Sequence, residues 1–249
     1  MPDFWPWIQN KKGVELGQKL HREKTVLLII ETISYLKKIK KDNNKSEEYQ
    51  QLLLYFSGFI AHYALDLKVH PLIFEYGGTD NSHKKLEMEI DLKFSEQKWN
   101  LDLKKLYPVN FFDFGDKMLD SIADFYIYIL DKVFSYDKNN QQINQSYQDY
   151  KKFYRLFYSP QGIKAKFISL IDKIAPMEIS LYSYNLNTDF KILNSQIYNL
   201  FEEKYKQGIK EGLRLYKIIF AFLNNNISKK QLKTEIKNKN LLGRELKFS

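Results

Sequence analysis

The sequence predicts an all-α protein, and three observations carry that prediction. Apolar residues recur at spacings of three and four along most of the chain. No stretch alternates apolar and polar residues long enough to make a strand and hairpin. Only ten Gly and six Pro interrupt 249 residues, of which 44% are apolar. The expectation is a single-domain multi-helix bundle spanning residues 1–249.

The elements follow in order. A first helix is expected from about Gly13 to Lys41, ended by the polar run Lys41 to Lys45. Asn44, three residues before Glu47, reads as the start signal of a second helix. Its Leu53, Phe56, Ile60 and Tyr63 point to a core, and it should end near His70, because Pro71 disfavours helical geometry in the residue before it. A loop from Leu72 to Asn81 contains Gly77 and Gly78, and Ser82 caps a third helix through His83, Leu86, Ile90 and Phe94. Met118, Ile122, Phe125, Ile129 and Val133 make one face of a fourth.

The Asn/Gln-rich stretch Asn139 to Gln145 reads as a loop within the domain. Helices from Ser146 to Phe157 and from Gly162 to Ala175 come next. A long helix then sets Ile197, Phe201, Tyr205, Ile209, Leu213, Tyr216 and Phe220 on one stripe, read as a core face.

Composition narrows the function classes. With no cysteine, neither a disulfide nor a thiolate zinc site can form, so any metal must be held by imidazole, carboxylate or backbone groups. The N-terminus, with Pro2 and Pro6, lacks the basic-then-apolar pattern of a signal peptide, and the apolar runs Leu52 to Ile60 and Ile218 to Leu223 fall short of a spanning segment. The chain as given is expected to be cytoplasmic, with contact at a membrane surface still open to it. Its net charge of +9 suits an anionic lipid surface or nucleic acid without choosing between them, and the interleaved lysines read first as a solvated surface.

The chemistry-bearing pattern lies in the second and third helices. Three of the four histidines fall between positions 62 and 83, ordered with acids as His62, Asp66, His70, His83 and Glu87. Residues four apart on a helix share a face, with Cβ atoms roughly 5–6 Å apart, so His62 with Asp66 and His83 with Glu87 can each grip one ion. Zinc accepts imidazole nitrogen and carboxylate oxygen at about 2.0–2.2 Å. A single such pair is ordinarily a surface hydrogen bond. Here there are two, with His70 in addition, and His62 and Asp66 stand inside the apolar stretch Leu52 to Val69, where an unpartnered ionisable group is costly.

The segment from Gly58 through His62 and Asp66, then His70-Pro71, Gly77 and His83-Lys-Lys-Leu-Glu87, resembles the signature of the bacterial zinc-dependent phospholipase C family, which is related to the trinuclear-zinc single-strand nucleases. Pro2-Asp3-Phe4 resembles that family's Pro-Asp element, and His21 its next histidine. The likeness covers about the first 95 residues, with a weaker echo from Asn187 to Lys206.

The resemblance implies a multi-helix bundle of the phospholipase C and zinc nuclease type. It implies one zinc among Asp3, His21, His62 and Asp66, a second on His70, His83 and Glu87, and a catalytic role for Asp3 in orienting or deprotonating the attacking water. In the complete family site Asp66 also bridges toward a third zinc, held by an N-terminal amine and carbonyl and an upstream histidine. Met1 stands two residues before Asp3, so two zinc ions and weak activity are expected of this chain. The implied substrate is a phospholipid, split to diacylglycerol and a phosphorylated headgroup, or another phosphodiester. A nuclease on the same cluster is the first alternative, less favoured because the His70 to His83 spacing and Glu87 resemble the phospholipase branch. A metal-stabilised helical protein without turnover is the second.

Overall fold

The computed structural model describes residues 23–78, 82–136, 140–160, 162–174 and 192–236. Among them every regular element is helical, which agrees with the all-α expectation. Eight α-helices appear in this order: α1 (Thr25–Lys40), α2 (Ser46–Gly77), α3 (Ser82–Trp99), α4 (Asp120–Phe134), α5 (Asn140–Phe157), α6 (Ile163–Ile174), α7 (Ser195–Leu223) and α8 (Lys229–Glu235). Short 3₁₀ turns stand at Asn43–Lys45 and Pro108–Phe111.

These helices form two compact units, and the division cuts α2 between His70 and Pro71, α5 between Tyr150 and Lys151, and α7 between Glu203 and Lys204. Of the described residues, 23–70, 114–136, 140–150 and 204–236 belong to the first unit and the rest to the second.

In the first unit α1 packs on α4. Ile29, Ile33 and Leu36 of α1 and Ile122, Ile129 and Leu130 of α4 are buried, each contributing roughly 1.5–3 kcal/mol by leaving water. The Tyr35 ring stacks on Tyr128 with centroids 4.5 Å apart. Burial, with Glu48 and Asp124 nearby, pushes the Tyr35 hydroxyl pKa up to about 12. At the C-terminal end of α7, Lys37 donates to the Phe222 carbonyl at 2.7 Å and Lys40 to the Asn224 side chain at 2.7 Å, placing cations where the helix ends its row of carbonyls.

In the second unit Phe94 of α3 meets Phe201 of α7 edge-on, with centroids 5.3 Å apart. Lys151 is 4% exposed and its ammonium is held by Asp113 at 2.5 Å, which compensates its burial. Lys98 pairs with Glu202 across α3 and α7.

The structure departs from the sequence expectation in several places. The second helix does not end near His70, and the loop expected from Leu72 is helical: α2 runs on through Pro71 to Gly77. Proline costs the helix one hydrogen bond, but Leu72 and Ile73 just beyond it are 4% and 1% exposed, and their burial offsets that loss. The helix begins at Ser46, and what Asp42 caps is the 3₁₀ turn before it, its carboxylate accepting from the Asn44 N–H at 3.1 Å. The fifth helix starts at Asn140, six residues before the expected Ser146. Helix α8 was not foreseen, although Ser228 and Gln231 form a capping box at its start.

The long stripe on α7 is also turned. Ile197 and Phe201 are buried, but Ile209 is 48% exposed, Leu213 56% and Phe220 43%. The buried line in that part of α7 is Gly208, Gly212, Leu215, Ile219 and Phe222 instead. Gly208 marks the closest approach of α7 to α2, where a side chain would be crowded, whereas Gly212 leaves room for a Cβ at ordinary contact. A Cβ on Gly208 would stand 3.1 Å from the Leu65 Cα, and one on Gly212 3.6 Å from the Ala64 Cβ. Finally, α2 with the turn before it is long and apolar enough to cross a membrane by length and composition, contrary to the reading of its apolar run, although half of its most apolar window is buried inside the protein.

Candidate functional site

Three of the expected site residues share one face of α2 in the first unit. Asp66 is buried at 7% exposure, while the His62 side chain one turn earlier is 47% exposed and that of His70 one turn later 18%. His62 Nε2 lies 3.1 Å from Asp66 Oδ2, and His70 Nδ1 lies 3.8 Å from the same oxygen. The helix dictates this ladder: i and i+4 positions stack, and Asp66 occupies the middle rung. Phe56, Phe59, Ile60, Tyr63 and Ala64 are buried along the preceding turns of the same helix, so the acid belongs to an apolar surround that its two imidazoles make tolerable.

His83 and Glu87, on α3, belong to the second unit. Both are half-buried. The His83 ring lies 5.4 Å from the Phe74 ring, and the His83 backbone is pressed so closely on Gly77 that a Cβ there would meet the His83 Cα at 2.8 Å. Asp3 and His21 lie outside the described residues.

These positions allow a test of whether the side chains suit zinc. Two donors about 2.0–2.2 Å from one tetrahedral ion stand roughly 3.3–3.6 Å from each other. The separations of 3.1 and 3.8 Å in the ladder, both to Asp66 Oδ2, lie just below and just above that range, so neither imidazole stands at a ligand spacing with Asp66 as placed. Among the described residues no group of three or more His, Asp or Glu side chains is arranged to hold one ion. The ladder therefore brings two imidazoles to one carboxylate oxygen, and holding an ion would take a small shift of each and further donors.

No family profile, curated protein or solved structure matches this chain.

Several residues of consequence were not signalled by the His/acid pattern. Glu89, two residues after Glu87, is 3% exposed and accepts the backbone N–H groups of Ile192 at 3.1 Å and Leu193 at 2.7 Å. A buried carboxylate anchoring the segment before α7 has no signature beyond an acid among apolar neighbours. Gly208 and Gly212 were legible as a small-residue pair one turn apart. Their close approach leaves a groove of about 310 Å³ between α2 and α7, with His62, Ala61 and Leu65 on one wall and Ile209, Leu213 and Tyr216 on the other. Next along α7, Arg214 grips Glu211 through two hydrogen bonds of 3.1 and 2.7 Å. Burial, and after it Glu211, raises the pKa of the Tyr63 hydroxyl, with Arg214 acting in the opposite direction.

Proposed function

We propose that this protein binds zinc through the α2 ladder and hydrolyses phosphodiesters, with phospholipid as the substrate class, in the manner of the zinc-dependent phospholipases C that its His/Asp pattern resembles. The observation that supports the reading is the ladder itself: one buried carboxylate between two imidazoles, 3.1 and 3.8 Å from the same oxygen. His62, Asp66 and His70 would hold metal, with Asp3, His21, His83 and Glu87 as the further donors implied by the resemblance. When bound, zinc supplies charge neutralisation at phosphate and a water acidified toward neutral pH. The chain's own part is to set Asp66 between its imidazoles, to shield one side of it with the apolar face of α2, and to leave His62 accessible from solvent.

Elemental analysis of the purified chain tests the metal. About two zinc ions per chain are expected, and Asp66→Ala should lose most of them. Less than half an equivalent, with added zinc failing to bind, would sink the reading. Turnover of phosphatidylcholine, a soluble phosphodiester and single-stranded DNA, measured at matched zinc occupancy, then separates phospholipase from nuclease. Zinc without turnover of any of the three would leave a metal-stabilised binding protein.

A further inference from the structure

The outward stripe of α7 and the face of α2 beside it form a surface that packing inside the first unit leaves uncovered. Leu54 on α2 is 75% exposed, and Ile209, Leu213 and Phe220 on α7 are 48, 56 and 43% exposed. The two helices run antiparallel here, since Gly208 abuts Leu65, Gly212 abuts Ala64, and the Tyr216 hydroxyl donates to the Ser57 carbonyl. Leu54 and Phe220 continue the same two lines away from the groove. A contiguous apolar surface on an otherwise lysine-rich exterior marks a place where something docks.

Its charge says what docks. From Leu54 to Leu65 α2 carries no Lys, Arg, Asp or Glu at all. From Tyr205 to Phe220 α7 carries one acid, Glu211, and it is gripped by Arg214. Lys206, Lys210 and Lys217 are exposed, and by helical position they fall together on the edge of the Ile209, Leu213, Tyr216 and Phe220 stripe. An apolar stripe edged by basic residues and bordered by tyrosine is the pattern of a helix that lies in a membrane interface, apolar side in the acyl boundary and cations among anionic headgroups. A protein partner would be expected to find acidic as well as basic groups to pair with along the rim, and the one acid of this stretch, Glu211, is already held by Arg214.

We infer that this face of α2 and α7 seats the protein on an anionic lipid surface, Ile209, Leu213 and Phe220 entering the interface and Lys206, Lys210 and Lys217 contacting the headgroups. The half-buried, half-exposed character of α2 fits such a role, in which the helix lies along the interface and does not span it. The inference concerns adsorption and stands whether or not zinc chemistry occurs.

Co-sedimentation of the full chain with vesicles tests it, using phosphatidylcholine alone and phosphatidylcholine mixed with phosphatidylglycerol. Binding is expected to the mixed vesicles and to weaken as salt is raised. Changing Lys206, Lys210 and Lys217 together to Glu should lower partitioning by roughly a hundredfold or more, each basic residue near such a surface being worth about fivefold. Ile209→Glu with Leu213→Glu should abolish it, and because both side chains are exposed the thermal melt should stay at the parent value. Leu54→Glu gives a second variant on the other helix and should weaken binding. Absence of binding to the mixed vesicles would overturn the inference, as would equal binding by the folded variants. So would a concentration-dependent dimer that the Ile209→Glu and Leu213→Glu changes dissociate and that vesicles do not compete away, since the face would then belong to a second copy.

Discussion

Two helices carry a histidine four residues before an acid, and the two pairs come to different ends. On α2 the acid of the pair, Asp66, is the buried one, and a second imidazole closes on it from the other side. On α3 the acid of the pair, Glu87, is only half-buried, and the deeply buried carboxylate is Glu89, which takes two backbone N–H groups. The same spacing fixes which side chains are neighbours but not how deep they lie. Depth is set by which face of the helix meets the rest of its unit. On α2 that face includes the acid of the pair, and on α3 it lies two residues further along.

The largest effect expected from this contrast is on α3. Glu89→Ala would leave the Ile192 and Leu193 N–H groups without their acceptor and should cost about 3 kcal/mol, from two hydrogen bonds to a charged group, whereas Glu87→Ala should cost less than about 1 kcal/mol. Urea unfolding of both variants measures the difference, and equal losses would break the comparison.

The α2 ladder is predicted to be uneven in its turn. His70 is mostly buried and His62 is nearly half exposed, so His70→Ala should cost about 2 kcal/mol and His62→Ala less than about 1 kcal/mol. Thermal melts of the two variants without added metal sharpen the contrast; a reversed order would show that the solvent-facing rung carries the stability.

Glycines give the next smaller pair. At Gly77 a Cβ would collide with the His83 backbone, so Gly77→Ala should destabilise by about 1–2 kcal/mol and disturb the site end of α3. Gly58, exposed in the middle of α2 with nothing near its missing Cβ, should instead gain about 0.5–1 kcal/mol as Ala. Denaturant midpoints decide both signs.

The smallest effect near neutrality, and one that grows only in alkali, comes from the tyrosines. Burial raises the pKa of the Tyr55 and Tyr63 hydroxyls, and that of Tyr35 to about 12. A pKa higher in the folded chain than in the unfolded one means the folded state holds its protons longer. The stability this contributes is complete below about pH 10, where the unfolded tyrosine begins to ionise, and is lost as pH climbs toward the folded values. Melting temperature should therefore fall steeply above pH 10, and less steeply in Tyr55→Phe. A flat profile between pH 9 and about 11 would show that these hydroxyls are not shielded.

Much of this protein was legible in the residues alone. Period and composition determine that it is helical, because apolar side chains three and four apart can share a core only on helices, and every described helix but α8 overlaps a stretch that the spacing marked, with different ends. The His62, Asp66 and His70 alignment was equally legible, since it depends on nothing beyond the pitch of a single helix. Local rules failed where long-range packing outweighed them. Pro71 should have ended α2, but Leu72 and Ile73 find buried places beyond it. The apolar stripe from Ile209 to Phe220 should have faced inward, but the neighbouring face with Gly208 and Gly212 is the one that meets α2, and at Gly208 the approach is too close for a side chain to enter without crowding. Depth, facing and closeness depend on partners far along the chain, and only the tertiary structure supplies them.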